Sequence, residues 1–167
     1  VERLKPVPAL AVMVDIRPHD QWTPERIAKA QAAARLLESA VNSDEFARQV
    51  SQRRDLQLTG GLNGAELVRV IRAGLPLDAV RQGVVSAAPR ITLALAISPE
   101  TGEFSRYEGF TDLGTGIIYA RRTWFDRESV CKLAGLYAHE HMHVIGFTHA
   151  SYPHPLRGRS VPYAVGD

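Results

Sequence analysis

The chain has 167 residues, which is enough for a single domain with one hydrophobic core. Apolar residues make up 45% of it and charged residues 23%, as in ordinary globular proteins, and the formal net charge is only +2. Such a small charge gives no electrostatic argument for a nucleic-acid partner, and no apolar run approaches the ~20 residues of a membrane-spanning helix. We therefore expect one domain over residues 1–167, a monomer that neither binds nucleic acid nor spans a membrane.

The first residue is Val1 rather than methionine. This favours an exported protein, periplasmic or secreted, from which an N-terminal segment has been removed, over a cytoplasmic one, although a trimmed chain would begin in the same way. The single cysteine, Cys131, excludes an internal disulfide, and its place within a predicted helix indicates a buried thiol.

A strand and a long helix are predicted first. The continuous apolar run at residues 9–16 is typical of a buried strand. Thr23 and Pro24 are typical of the N-cap and first position of a helix, which we expect to end near Val41. Alanine-rich apolar positions recur along it at helical spacing, so this helix should pack closely against a sheet or another helix.

Shorter elements follow the long helix. Ser43, with acidic residues directly after it, predicts a second short helix, and the polar residues 51–62 predict a loop. Asn63 and Glu66 resemble a capping box that begins a helix ending near Ala73.

The second half of the chain predicts the rest of the sheet and one more long helix. Strands are expected at residues 91–97 and 116–121, with a turn-rich segment at residues 99–109 that suits a hairpin. Asp126 is placed to cap a helix over residues 127–145. Prolines and glycines in the last eighteen residues predict an irregular tail. The order of elements predicts an α+β fold with a mostly segregated sheet.

Four of the six histidines lie within residues 139–149, which read HEHMHVIGFTH. On a helix, His139 and His143 are one turn apart on the same face, where two imidazoles reach one metal ion. Leu136 shares this face and would line the floor. Glu140 lies to one side, where its carboxylate can contact a metal-bound water without displacing it.

A third ligand is needed, because two histidines alone bind zinc poorly. Gly146 follows as a residue that can end the helix in a left-handed conformation, and His149 can then return to the metal. Three neutral histidines leave a fourth position for water, whose pKa zinc lowers toward ~7 so that Glu140 can act as general base. The alternative is a helix whose histidines make ordinary hydrogen bonds. This alternative does not explain why Gly146 and His149 occur at the spacing that a third metal ligand needs.

The other histidines are interpreted differently. His141 points away from His139 and His143, which indicates a packed, hydrogen-bonded side chain or support of the site from behind. His19 and His154 have no partners recognisable in the sequence and are expected on the surface.

The pattern H-E-x-x-H-x-x-G-x-x-H resembles the metzincin clan of zinc endopeptidases. The resemblance implies one zinc ion held by His139, His143 and His149, Glu140 as the base, and Gly146 as the hinge. It also implies a single catalytic domain with a twisted mixed sheet, a backing helix after the first strand and an active-site helix after the last. The gluzincins, which need a downstream glutamate ligand, are excluded because no glutamate follows Glu140.

The chain departs from metzincins at the Met-turn, since no methionine follows Met142. Residues 160–163 read SVPY, and the resemblance places Pro162 as the apolar floor in place of the methionine. Tyr163 resembles the tyrosine after the Met-turn of astacins and serralysins, which ligates the metal or hydrogen-bonds the developing oxyanion. Here it comes one residue closer, and a packing tyrosine is the alternative. The chain therefore resembles a compact, divergent bacterial-type branch.

In metzincins the edge strand before the active-site helix pairs with an extended peptide substrate. By position this strand resembles the residues Gly116, Ile117, Ile118, Tyr119 and Ala120, although an ordinary core strand would look the same. Arg157 and Arg159, near the tail, suggest a preference for acidic side chains in the substrate.

The sequence thus predicts a zinc-dependent endopeptidase acting on a peptide or protein substrate. The alternative is a non-catalytic zinc-bound recognition or scaffold domain of the same fold, which the missing methionine keeps open.

Overall fold

The computed structural model describes residues 8–17, 21–98, 100, 106–150, 154–155 and 157–166. Within them the chain has an α+β fold with four strands in one mixed sheet and seven α-helices. In chain order the elements are β1 (Ala11–Ile16), α1 (Pro24–Val41), α2 (Asp44–Gln52), α3 (Gly64–Arg72), α4 (Leu77–Arg81), β2 (Arg90–Ser98), β3 (Gly109–Asp112), β4 (Ile117–Arg121), α5 (Arg122–Arg127), α6 (Val130–Val144) and α7 (Val161–Gly166). Among the described helices, none is long and apolar enough to cross a membrane.

The sheet has the strand order β1-β2-β4-β3. β1, β2 and β4 are parallel, and β3 pairs with β4 in the antiparallel direction. Helices α1 and α6 pack on each other; α1 also contacts β1, and α6 contacts β3 and β4. The core between helices and sheet is formed by fully buried side chains such as Leu95, Ile118, Phe125 and Leu133.

Strand β4 is not at the edge of the sheet, so the expectation that residues 116–120 form an edge strand is wrong. β4 pairs with β2 on one side and with β3 on the other. The edge strand on this side of the sheet is β3. The chain reverses between β3 and β4, where the Gly116 N–H donates to the Asp112 carbonyl at 2.7 Å and Gly116 has a φ of +72°. Glycine adopts this left-handed conformation without steric cost.

Several helix starts were predicted by local capping chemistry and are confirmed. The side chains of Thr23 and Ser43 cap α1 and α2, and Asn63 and Glu66 form the reciprocal capping box of α3. The prediction that Asp126 caps the histidine helix is wrong. Asp126 lies inside the separate helix α5, where its carboxylate accepts two hydrogen bonds from Arg26 at 2.7 and 2.8 Å.

The histidine helix α6 begins at Val130, three residues later than the predicted start at residue 127. Ser129 is its N-cap, with the Ser129 hydroxyl accepting a hydrogen bond from the Lys132 N–H at 3.2 Å. The break between α5 and α6 places Cys131 in the first turn of α6, where its side chain is exposed rather than buried as predicted.

The tail is more regular than predicted. After a 3₁₀ turn at Arg157–Arg159, residues Val161–Gly166 form helix α7, which packs along α6. Pro162 is accommodated because it lies in the first turn of α7, where a missing N–H costs no helical hydrogen bond. Helix α4 was not predicted at all. His154 is exposed as expected, whereas His19 and Pro153 lie outside the described residues.

Candidate metal centre

The imidazoles of three histidines converge at one end of α6. His139 and His143 lie one turn apart, with ring centroids 5.1 Å from each other, and His149 lies 5.3 and 4.7 Å from them. One ring nitrogen of each lies within 4.8 Å of the others. These are the three histidines selected by the sequence pattern.

Gly146 ends the helix and allows His149 to return. Its φ is +112°, and the Phe147 N–H donates to the Met142 carbonyl at 2.9 Å, which closes the last turn. A Cβ on Gly146 would have room, since its nearest neighbour would be 3.6 Å away on Leu77. The requirement for glycine is therefore one of backbone conformation.

Two of the three rings are oriented by a hydrogen bond to a backbone carbonyl. The Nδ1–H of His143 donates to Phe147 at 2.9 Å and that of His149 to Ala150 at 3.1 Å. Burial lowers the pKa of His139, and the nearby Pro162 carbonyl acts on this pKa in the opposite direction. A histidine whose Nδ1 is held by a carbonyl has its Nε2 lone pair available for a metal ion, which is the usual outer-shell arrangement at zinc.

The electrostatics of the three histidines keep them neutral. Burial lowers the pKa of His139 to about 3 and also lowers the pKa of His143 and of His149. The nearby positive charge of Arg157 acts in the same direction on all three. Only neutral imidazole coordinates a metal ion, so the donor set fits zinc at neutral pH.

Glu140 is the buried carboxylate of the site, with 7% of its surface exposed. Burial raises its pKa, and a hydrogen bond from the Thr111 hydroxyl to Oε2 at 2.6 Å acts in the opposite direction. The same hydroxyl also contacts the Glu140 carbonyl at 3.2 Å. Thr111 was missed by the sequence analysis because it lies on β3, and nothing local to it indicates which strand faces α6.

The tail packs against two of the three histidines. The ring of Tyr163 packs edge-on against His139 with centroids 4.5 Å apart, and its centroid lies 5.3 Å from that of His149. Arg157 Nε donates to the Tyr163 hydroxyl oxygen at 2.7 Å. Pro162 is buried, and its role as an apolar floor in place of a methionine stays a prediction.

Two glycines allow helix α7 to reach the site. A Cβ on Gly135 would come within 2.3 Å of the Gly166 carbonyl, and one on Gly166 within 2.9 Å of the His139 Cβ. The backbones of α6 and α7 therefore approach more closely than any other residue type allows.

His141 lies on the opposite side of α6, with 8% of its surface exposed. Burial lowers its pKa to about 4, so it is packed in the neutral form. Its predicted packing is confirmed, and its predicted hydrogen bond stays a prediction.

A groove of about 1330 Å³ runs past the three histidines between β3 and the first turns of α6. Glu108, Gly109, Phe110 and Thr111 line its strand side, and Arg157 and Tyr163 line its tail side. Residues 116–120, predicted as the substrate strand, do not line it, because β3 separates β4 from the groove.

No protein-family model, no curated protein and no solved structure matches this chain. Its function must therefore be inferred from the residues of the site.

Proposed function

We propose that the protein is a zinc-dependent endopeptidase of the metzincin clan, in a compact, divergent bacterial-type branch. One observation carries the proposal: three neutral histidines and a buried carboxylate meet in one groove beside the edge of a sheet. Their spacing follows H-E-x-x-H-x-x-G-x-x-H, and the helix turns at the glycine of that pattern.

His139, His143 and His149 would hold one zinc ion, and for His143 and His149 the ligand atom would be the ring nitrogen that the backbone carbonyl leaves available. When bound, zinc lowers the pKa of a coordinated water toward ~7 and polarises a carbonyl oxygen. Glu140 would accept the proton of the attacking water, and Thr111 holds its carboxylate in position.

The substrate would be an extended peptide lying along β3. Among the described residues, β3 pairs only with β4, so a peptide could add to the sheet at its other edge. The groove follows this same edge past Glu140. Main-chain hydrogen bonds would supply affinity, and the walls of the groove would supply specificity.

Tyr163 would stabilise the charge that develops on the carbonyl oxygen of the substrate. Its ring contacts two of the three histidines, and its hydroxyl oxygen already accepts a hydrogen bond from Arg157. The hydroxyl hydrogen thus remains for donation to an oxyanion.

The alternative is a non-catalytic zinc-bound recognition or scaffold domain. A tail folded over the histidines, with no groove along residues 116–120, would favour this alternative. The groove that the described residues form does not run along residues 116–120, which agrees with the alternative. It does run along β3 past the three histidines and Glu140, and this access to the site supports a hydrolase.

The test is metal-dependent cleavage of a mixed peptide library, with new termini identified by mass spectrometry. Zinc-loaded protein should cleave internal bonds, chelation should abolish cleavage, and added zinc but not magnesium should restore it, because imidazole ligands suit zinc. Cleavage that persists after complete metal removal would refute the zinc mechanism. One tightly bound zinc per chain without any cleavage would favour the scaffold alternative.

A further inference from the structure

Arg157 is a cation placed directly beside the three histidines. Its Nε donates to the Tyr163 hydroxyl at 2.7 Å and its Nη1 to the Ala150 carbonyl at 3.2 Å. That same carbonyl accepts the Nδ1–H of His149. Arg157 and the candidate zinc ligand His149 therefore donate to the same carbonyl oxygen.

Both of these acceptors are neutral. No carboxylate among the described residues forms an ion pair with Arg157, although six other ion pairs occur there. Two of its five N–H donors are used, and the remaining three have no acceptor in the described part of the chain. A half-buried guanidinium whose donors have no acceptor among the described residues gains most from a planar, charged acceptor.

Among the described residues, no other charged side chain of the groove forms an ion pair with Arg157. Arg106 and Lys132 add positive charge, and Glu108 and Glu140 add negative charge. The Glu140 carboxylate accepts a hydrogen bond from Thr111, and Glu108 is exposed.

We propose that Arg157 binds a carboxylate of the substrate next to the bond that is cleaved. The substrate class is then peptides with an acidic side chain, or a free C-terminal carboxylate, at that position. This inference rests on the proposed peptidase function, because it assigns Arg157 to the substrate site of that function.

Arg159 does not share this role, although it lies only two residues away. Its side chain is exposed and lies outside the groove, and its charge acts on the carboxylate of Asp55. Arg159 is therefore a matched control for substitution of Arg157.

The experiment uses randomised peptide pools that differ only in Glu or Gln at the varied positions, each with a free or amidated C terminus. Binding to the zinc-loaded Glu140→Ala protein and cleavage by the wild-type protein are both measured. The Glu pools should bind and react better by about tenfold or more, as expected for a charge-assisted hydrogen bond. A preference that depends on the free C terminus alone would assign the carboxylate to the end of the chain.

Arg157→Gln should reduce the Glu-to-Gln ratio to near unity, Arg157→Lys should keep part of it, and Arg159→Gln should leave it unchanged. Tyr163→Phe should weaken both pools alike, because it removes an acceptor of Arg157 but no charge. If Arg157→Gln instead reduces binding and cleavage of the Glu and Gln pools equally, Arg157 only positions Tyr163 and the inference is overturned.

Failure of the inference and failure of the proposed function remain distinguishable. Glu and Gln pools that bind and react equally well with the wild-type protein would overturn the inference and leave the peptidase intact. An Arg157-dependent preference in binding without any cleavage would support the carboxylate site and contradict the peptidase.

Discussion

The histidine segment, residues 139–149, and the tail, residues 157–166, build the same site by different means. In the first, α-helical geometry and one turn at Gly146 bring three imidazoles together, so every relationship is local in sequence. In the second, Tyr163 reaches the histidines only because α7 packs on α6 through Gly135 and Gly166. The three imidazoles are thus brought together by spacing along the chain, whereas the contact of Tyr163 with them depends on tertiary packing.

The largest effect is expected from substituting one of the three histidines in residues 139–149. His149→Ala removes one of three proposed ligands, so zinc affinity should fall well beyond the ~10–100-fold typical of an outer-shell change. Cleavage should be lost with it. Zinc content after dialysis against a competing chelator measures this effect. Unchanged zinc affinity would mean that His149 does not bind the metal ion.

A smaller effect should follow when the packing of the tail is disturbed. In Gly166→Ala the new Cβ would lie 2.8 Å from the Gly135 carbonyl oxygen and 2.9 Å from the His139 Cβ. Such overpacking costs ~1–3 kcal/mol in the free energy of unfolding, and each kcal/mol lowers Tm by about 2–4 °C at this chain length. Thermal unfolding measures this cost.

Gly158→Ala is the matched control, because a Cβ there would meet no atom within 4 Å. Its unfolding free energy should stay within ~0.5 kcal/mol of the wild type. If Gly158→Ala and Gly166→Ala lower the free energy of unfolding equally, the position of the tail does not depend on the close approach of α6 and α7.

The smallest effect is expected from Tyr163→Phe, which removes only a hydroxyl. Turnover should fall by up to about tenfold, since one hydrogen bond contributes ~0.5–1.5 kcal/mol net. Zinc content should not change, because the hydroxyl orients none of the three rings. The turnover number at saturating peptide measures this effect, and an unchanged value would give Tyr163 a packing role only.

The same contrast explains what the sequence could predict. The caps at Thr23, Ser43 and Asn63 and the turn at Gly146 depend on contacts within a few residues, and all were predicted correctly. At Asp126 two suitable capping residues lie close together, and local chemistry did not distinguish it from Ser129.

Non-local features were missed. β3 has only four residues and is formed by pairing with β4, so neither its edge position nor the contact of Thr111 with Glu140 has a local signal. The tail was predicted as irregular because its prolines and glycines were interpreted without α6. In the structure Pro162 begins a helix and Gly166 permits the close packing of that helix.

The central claim is that Glu140 acts on water at a zinc ion held by the three histidines. The most direct measurement combines zinc content and peptide cleavage on the same sample of Glu140→Ala. Because Glu140 is not a proposed ligand, the variant should keep one zinc per chain and lose cleavage by about 10²–10⁴-fold. Cleavage at the wild-type rate with zinc retained would contradict this account.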